Sequence, residues 1–295
     1  SRAGIFYAED YGNPITVASL QTALDEAETA SGGTVYVPTT ANVQISNTSV
    51  KIPNPVRLVG TGKGGTLPTF QATSTANVSA MIENKSQDGT QGYMAIENIF
   101  IDGNEDAGAV VTVGLKLVSV FSPSYFRDIL VRDCSGDGIR VTNASGFGSG
   151  PLLFQNIQLI NNGLDNFIAT GTGSNIALRM YHIESSSQGT GKAGIKLVGA
   201  AGMVQMAHVL SGIYIESADA TADGILLDSV ANASIDGVHY VGSSTGLAQL
   251  IRIINTQAGV GNNAPSGITI RNISMSGASA LANIIVDTAH GVTVT

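Results

Sequence analysis

Gly194-Ile195-Lys196-Leu197-Val198, Gly212-Ile213-Tyr214-Ile215-Glu216 and Gly224-Ile225-Leu226-Leu227-Asp228 follow one another between residues 194 and 229, and in the third the first phrase returns. Each phrase is a glycine followed by apolar residues at every second position, the pattern of a short strand with one buried face. Outward from this stretch, the first phrase recurs as Gly114-Leu115-Lys116-Leu117, Gly138-Ile139-Arg140-Val141, Asn166-Phe167-Ile168, Leu250-Ile251-Arg252-Ile253 and Asn283-Ile284-Ile285-Val286. The second recurs as Asn98-Ile99-Phe100-Ile101, Asp128-Ile129-Leu130-Val131, Asn156-Ile157-Gln158-Leu159, Tyr181-His182-Ile183, Gly237-Val238-His239-Tyr240 and Asn272-Ile273-Ser274-Met275. Steps within the first family run from 24 residues (Leu115 to Ile139) to 33 (Ile251 to Ile284). A period of that size is one turn of a solenoid.

Gly, Asn or Asp heads nearly every phrase, which predicts a sharp corner with left-handed backbone at that position. Leu, Ile and Val then point inward and stack on their counterparts one turn away. The expected fold is all-β, a single-stranded right-handed parallel β-helix with rungs ~4.8 Å apart. A β-sandwich also supplies many short strands, but it has no need of the same corner residue at the same phase of each repeat.

The totals agree with a coil. Charged residues make up only 12% of the 295, which suits stacked strands and tight turns better than helices. One elongated domain is expected: residues 1–33 form a lead-in and capping helix, and residues 34–295 form the coil, its last strand uncapped. The chain begins Ser1-Arg2-Ala3 with neither Met nor a signal peptide, which reads as a processed or shortened chain. The net charge of −8 argues against nucleic acid as a partner. No apolar run approaches the ~20 residues that cross a bilayer, so no membrane partner is expected. Cys134 is the only cysteine, which excludes an internal disulfide and a cysteine-based zinc site, and it is expected to be buried. No metal or cofactor motif is present in the sequence.

One amphipathic helix is expected over about Val17 to Ala30, with Leu20, Ala23, Leu24 and Ala27 on one face and Gly32-Gly33 as its stop. Lying just before the first strand, it can cover the open end of the coil. The helix ends in Ser31-Gly32-Gly33-Thr34-Val35-Tyr36-Val37-Pro38, and Val56-Arg57-Leu58-Val59-Gly60-Thr61-Gly62 follows. This resembles the start of the pectate-lyase-like β-helix superfamily, especially bacteriophage tailspikes and capsule depolymerases. The resemblance implies a virion-tail or extracellular protein, a homotrimer, and a cell-surface or extracellular polysaccharide as partner.

Two outward columns are candidates for chemistry. Lys116, Arg140, Ala169, Lys196, Leu226 and Arg252 fall between inward residues of the first strand family. Stacked like charges repel, so an acidic partner is favourable there, and Arg140, Lys196 and Arg252 are candidate contacts to an acidic glycan. The alternative is a solvated strand face.

In the second family His182-Ile183-Glu184-Ser185 and Tyr214-Ile215-Glu216-Ser217 are near copies, which places His182, Tyr214 and His239 in one column and Glu184 beside Glu216 in another. Aromatic rings offer faces to sugars. Two carboxylates on adjacent rungs, roughly 5 Å apart, have the spacing of a retaining glycosidase pair. Asp219 and Asp223 can reach the same face or serve as turn formers. Three functions stay open: a glycan-recognition rod of the tailspike kind, a polysaccharide hydrolase or lyase using Glu184 and Glu216, and an adhesive rod with no sugar site, in which the face is a contact between subunits.

Overall fold

The computed structural model describes residues 4–62, 66–87, 92–143, 149–171, 176–199, 205–206, 208–217, 221–242, 247–256, 265–276, 284–286 and 290–295. Every strand pairing in it is parallel. A 15-stranded sheet and a 9-stranded sheet run the length of the chain, and successive turns of backbone add one strand to each. The molecule is a parallel β-solenoid.

The interior is built from ladders of identical or similar side chains. Ile99, Ile129, Ile157, Ile183, Ile213 and Val238 stack in register in the larger sheet, all buried. Leu115, Ile139, Phe167, Ile195, Ile225 and Ile251 do the same in the smaller one. Phe126, Phe154 and Phe167 form an aromatic cluster between the two sheets. The first pair is stacked at 4.8 Å between centroids and the second meets edge to face at 5.1 Å.

The corner residues divide into two kinds. Asn98, Asp128, Asn156, His182, Gly212, Gly237 and Asn272 all have φ between 53° and 71°, forming a line of left-handed residues that bends each long strand of the larger sheet in mid-course. This is the conformation the sequence pattern predicts, and Asn, Asp and Gly reach it at least cost. The glycines that head the other family, Gly114, Gly138, Gly194 and Gly224, do not have positive φ. Their reason is space: a Cβ on Gly138 would lie 2.6 Å from the carbonyl of Asn166, and one on Gly194 would lie 2.8 Å from that of Gly224.

The helix Val17–Thr29 begins at a capping box, in which the Ser19 amide donates to the Thr16 hydroxyl and the Thr16 amide donates to the Ser19 hydroxyl. Its apolar face, Leu20, Ala23, Leu24 and Ala27, is fully buried. Ala30 and the left-handed Ser31 and Gly32 end it, one residue from the expected boundary. Gly60 and Gly62 of the motif that carries the family resemblance are close-approach glycines, since a Cβ there would lie about 2 Å from the carbonyls of Asn98 and Thr66. Cys134 is fully buried, and burial pushes its thiol far above the ordinary range. Among the described residues no helix is long and apolar enough to cross a membrane.

Candidate functional site

Downstream of the left-handed line, the larger sheet turns a row of side chains outward. In register they are Phe100, Leu130, Gln158, Glu184, Tyr214, His239 and Ser274, one from each turn. A cleft of about 610 Å3 runs across these rungs, floored by Leu130, Gln158, Glu184 and Tyr214 and bordered by Asp128, Asn156 and His182 of the corner line. Leu67 overhangs it from the link that follows the motif strand.

The polar groups of the row are joined in two sets. The Gln158 amide donates to the Glu184 carboxylate at 3.0 Å, which fixes both. The Tyr214 ring leans on the His239 ring, 5.8 Å between centroids at 38°. His239 Nδ1 in turn shares a hydrogen bond with Ser274 Oγ at 2.7 Å. Burial raises the Tyr214 phenol above its ordinary range, and the charges of Glu216 and Glu184 raise it further. At neutral pH Tyr214 therefore keeps its proton as a hydrogen-bond donor, with Glu184 across from it on the preceding turn and Glu216 two residues along its own strand.

This geometry corrects the expected alignment by two residues. Glu184 pairs with Tyr214, and Glu216 pairs with Ser186. His182 is not in the column of Tyr214 and His239; it is a corner residue, with φ 54°. Its ring lies over Gly212, where a Cβ would come within 2.9 Å of the imidazole. The near-copies in the sequence suggested the wrong match because a two-residue shift keeps every side chain on its own face, so the alternation of apolar and polar residues cannot detect it. The left-handed corner sets the true register, aligning His182 with Gly212. Glu184 and Glu216 are thus one strand over and two residues along, ~8 Å between Cα atoms instead of the ~5 Å of direct neighbours.

The cation column is real, but it lies on the smaller sheet, away from the cleft. Its order is Lys116, Arg140, Ile168, Lys196, Leu226, Arg252, with Ile168 in the place expected for Ala169, which is buried inside. The chain itself supplies the acids that these cations were expected to seek from a partner. Arg140 meets Asp137 at 2.6 Å, Lys196 meets Asp165 at 3.5 Å, Arg252 meets Asp223 at 3.7 Å and Lys116 meets Glu83 at 3.7 Å. Asp137 and Asp165 also accept backbone amides from the next turn, so the pairs tie neighbouring rungs together. Burial raises the Asp137 and Asp223 carboxyls, against the pull of their arginines. Asp223 belongs to this ladder and not to the cleft; Asp219 lies outside the described residues.

Sequence reasoning missed Gln158 and Asn156 as cleft residues, although the first was in the correct column. It also missed an arginine–tyrosine cluster upstream of the corner line. There Glu97, 1% exposed, accepts from Arg57 at 2.6 Å, from Tyr125 at 2.9 Å and from Arg127. Burial works to raise the Glu97 carboxyl, but these three donors outweigh it and hold the group below the usual range. The signal was present in the strand positions two and four residues earlier on each turn. Among the described residues no group of three His, Cys, Asp or Glu could hold a metal ion.

Fold and cleft together define a parallel β-solenoid with a polar, ring-lined groove on one sheet. No known protein-family profile matches the chain. It is similar to the mannuronan C5-epimerase AlgE3 of Azotobacter vinelandii, 28% identical over 165 residues, which is 52% of this chain and 9% of that protein. The matched stretch thus spans about a tenth of the curated relative's length. Among solved structures, the A-module of the Azotobacter vinelandii mannuronan C-5 epimerase AlgE4 superposes with a TM-score of 0.58 at 17% identity, covering 98% of this chain and 97% of that one. The N-terminal fragment of bacteriophage phi29 gene product 12 gives 0.68 at 15% identity, over 98% of this chain and 56% of that one. The enzymatically active domain of bacteriophage CBA120 tailspike protein 2 gives 0.57 at 14% identity, over 99% and 46%. The resemblance to β-helices of the pectate-lyase-like kind is borne out as a likeness of fold.

Proposed function

We propose that this chain is a polysaccharide-recognising β-helix of the tailspike kind, right-handed, with residues 1–33 as lead-in and cap and residues 34–295 as the coil. The observation that carries the reading is the row Gln158, Glu184 and Tyr214 along the cleft, with Gln158 tied to Glu184 and Tyr214 resting on His239 of the next turn. It lies parallel to the axis of the coil, so a linear polymer meets one side chain per rung, ~4.8 Å apart. Tyr214, His239 and the corner residue His182 offer ring faces to sugars; Glu184, Gln158 and Asn156 exchange hydrogen bonds with hydroxyls. Two kinds of neighbour support a polysaccharide partner: the epimerases act on mannuronan by name, and one solved neighbour is by title the enzymatically active domain of a bacteriophage tailspike.

Arg140, Lys196 and Arg252 are assigned to holding rungs together, which leaves the polymer to the cleft. Screening the protein against a panel of bacterial surface polysaccharides tests the reading. Tyr214→Ala is expected to weaken capture at least tenfold, with the circular dichroism of the coil unchanged. Capture that survives this change and Glu184→Gln together would remove the cleft from the function.

A second reading, cleavage of the bound chain by hydrolysis or elimination, is favoured by one feature: the face of the cleft carries two carboxylates, Glu184 and, one strand over and two residues along, Glu216, as candidate acid and base. Release of reducing ends, lost more than tenfold in Glu184→Gln while binding persists, is the result this reading requires.

The tailspike reading also carries an assembly. A homotrimer at the virion tail is expected, and light scattering in solution should return three chain masses; a monomer would leave the cleft standing and remove the trimer. Large apolar side chains stand exposed along the last rungs, Met275, Val286 and Val294 among them, as a subunit contact would require.

A further inference from the structure

We propose that Leu67 closes one end of the cleft, so that the cleft takes the end of a polysaccharide chain and not its interior; the inference rests on the polysaccharide reading above. The other lining residues all belong to the floor strands of the larger sheet, and Leu67 alone comes from elsewhere. Its place follows from how the turns pass the corner. From Asn98 to Asn272, one left-handed residue bends a strand that runs on through it. On the turn before Asn98 the strand stops instead: Val56–Gly60 pairs with the stretch ahead of Asn98, and Thr69–Ala72 pairs with the stretch beyond it. Leu67, two residues ahead of Thr69, therefore stands at the corner line on the turn before Phe100. From there it reaches past Phe100 to line a cleft whose floor begins at Leu130.

The wall is anchored on both sides. The Thr61 amide donates to the Val37 carbonyl at 2.9 Å, and the Phe100 amide donates to the Pro68 carbonyl at 3.0 Å. Between these anchors Gly62 lies so close to Thr66 that a Cβ would come within 2.1 Å of its carbonyl. Phe100, the next side chain of the row, does not continue the cleft. The Arg132 guanidinium lies over its ring at 4.8 Å and is held there by Asp102 at 3.0 Å and Asp133 at 3.2 Å. The closed end is thus apolar, made by Leu67 and Leu130, and the hydrogen-bonding groups of the floor start one rung further on at Gln158. A chain that continued through this end would press its hydroxyls against leucine with no partner, losing their hydration for nothing in return. Past Tyr214 the row runs on through His239 and Ser274, with single-residue corners at Gly237 and Asn272, and no described residue from outside the strands lines that end. From Leu130 to Tyr214 the floor spans three rung steps, roughly 14 Å, a slot that suits the last few sugars of a chain.

Competition for capture tests this, with purified bacterial capsular polysaccharides and detached lipopolysaccharide O-chains as probes, each intact and as fragments at least tenfold shorter made by partial acid hydrolysis. Wild type is expected to be half-inhibited at the same concentration of chain ends in both forms, so that fragments compete at least tenfold better by mass. Leu67→Gly opens the end and should make inhibition follow mass, the two forms competing alike. Leu67→Met keeps the wall and should preserve the preference for ends. Tyr214→Ala should weaken both forms equally and leave that preference unchanged. If intact chains and fragments compete equally by mass against wild type, chain-end recognition is overturned, while capture itself upholds the polysaccharide reading. A preference for ends that survives in Leu67→Gly, with circular dichroism unchanged, also overturns it, because Leu67 is then not the wall. If wild type captures no polysaccharide in either form, the polysaccharide reading fails and chain-end recognition with it.

Discussion

Phe154→Ala should lower the free energy of unfolding by about 3–5 kcal/mol, the range for a fully buried phenylalanine cut back to alanine. Phe154 has no exposed surface, stacks on Phe126 at 4.8 Å and meets the edge of Phe167 at 5.1 Å, so its removal opens a cavity at the joint between the two sheets and also breaks two ring contacts. In a solenoid each turn is held chiefly by its neighbours, and a loss in the middle weakens the contact on both sides. Urea unfolding should show the drop, with hydrogen exchange rising first on the turns of residues 121–132 and 176–186. Phe154→Leu should recover part of the loss. A change below about 1 kcal/mol in the alanine variant would mean that the neighbouring rungs collapse into the space, which the stacked ladders do not allow.

Part of the coil's loss of stability in acid should come from one histidine. His208 is fully buried, and neither ring nitrogen has a hydrogen-bond partner among the described residues. Burial alone lowers its pKa from 6.5 to about 4. The sign follows from linkage: the unfolded chain takes up this proton below about pH 6.5, whereas the folded chain refuses it until about pH 4. Stability tied to His208 is therefore whole above pH 6.5 and is lost as pH falls from there to about 4, on the order of 3 kcal/mol in all. His208→Leu removes the titrating group and leaves no orphaned nitrogen. Urea midpoints between pH 7.5 and 4.5 should fall more steeply for wild type than for this variant, the difference isolating His208 from the carboxylates. Parallel curves would show that the imidazole finds a partner.

The sequence alone settled the repeat, the inward ladders of apolar side chains and the Asn, Asp and Gly residues at most corners of the larger sheet. These depend on local rules: alternation by two fixes inside and outside, and a left-handed residue admits Asn, Asp or Gly. Ile99 to Val238 and Leu115 to Ile251 could be written down as ladders before any coordinates. Only the tertiary structure decided which outward residues are neighbours. The match of Glu184 to Tyr214, the seat of His182 at a corner, and the pairing of Arg140, Lys196 and Arg252 with acids all depend on how much chain each link takes up between turns. A slip by two residues costs no apolar burial, so the hydrophobic pattern is blind to it; backbone geometry at the bend, and the acids brought up from the adjacent turn, break the tie.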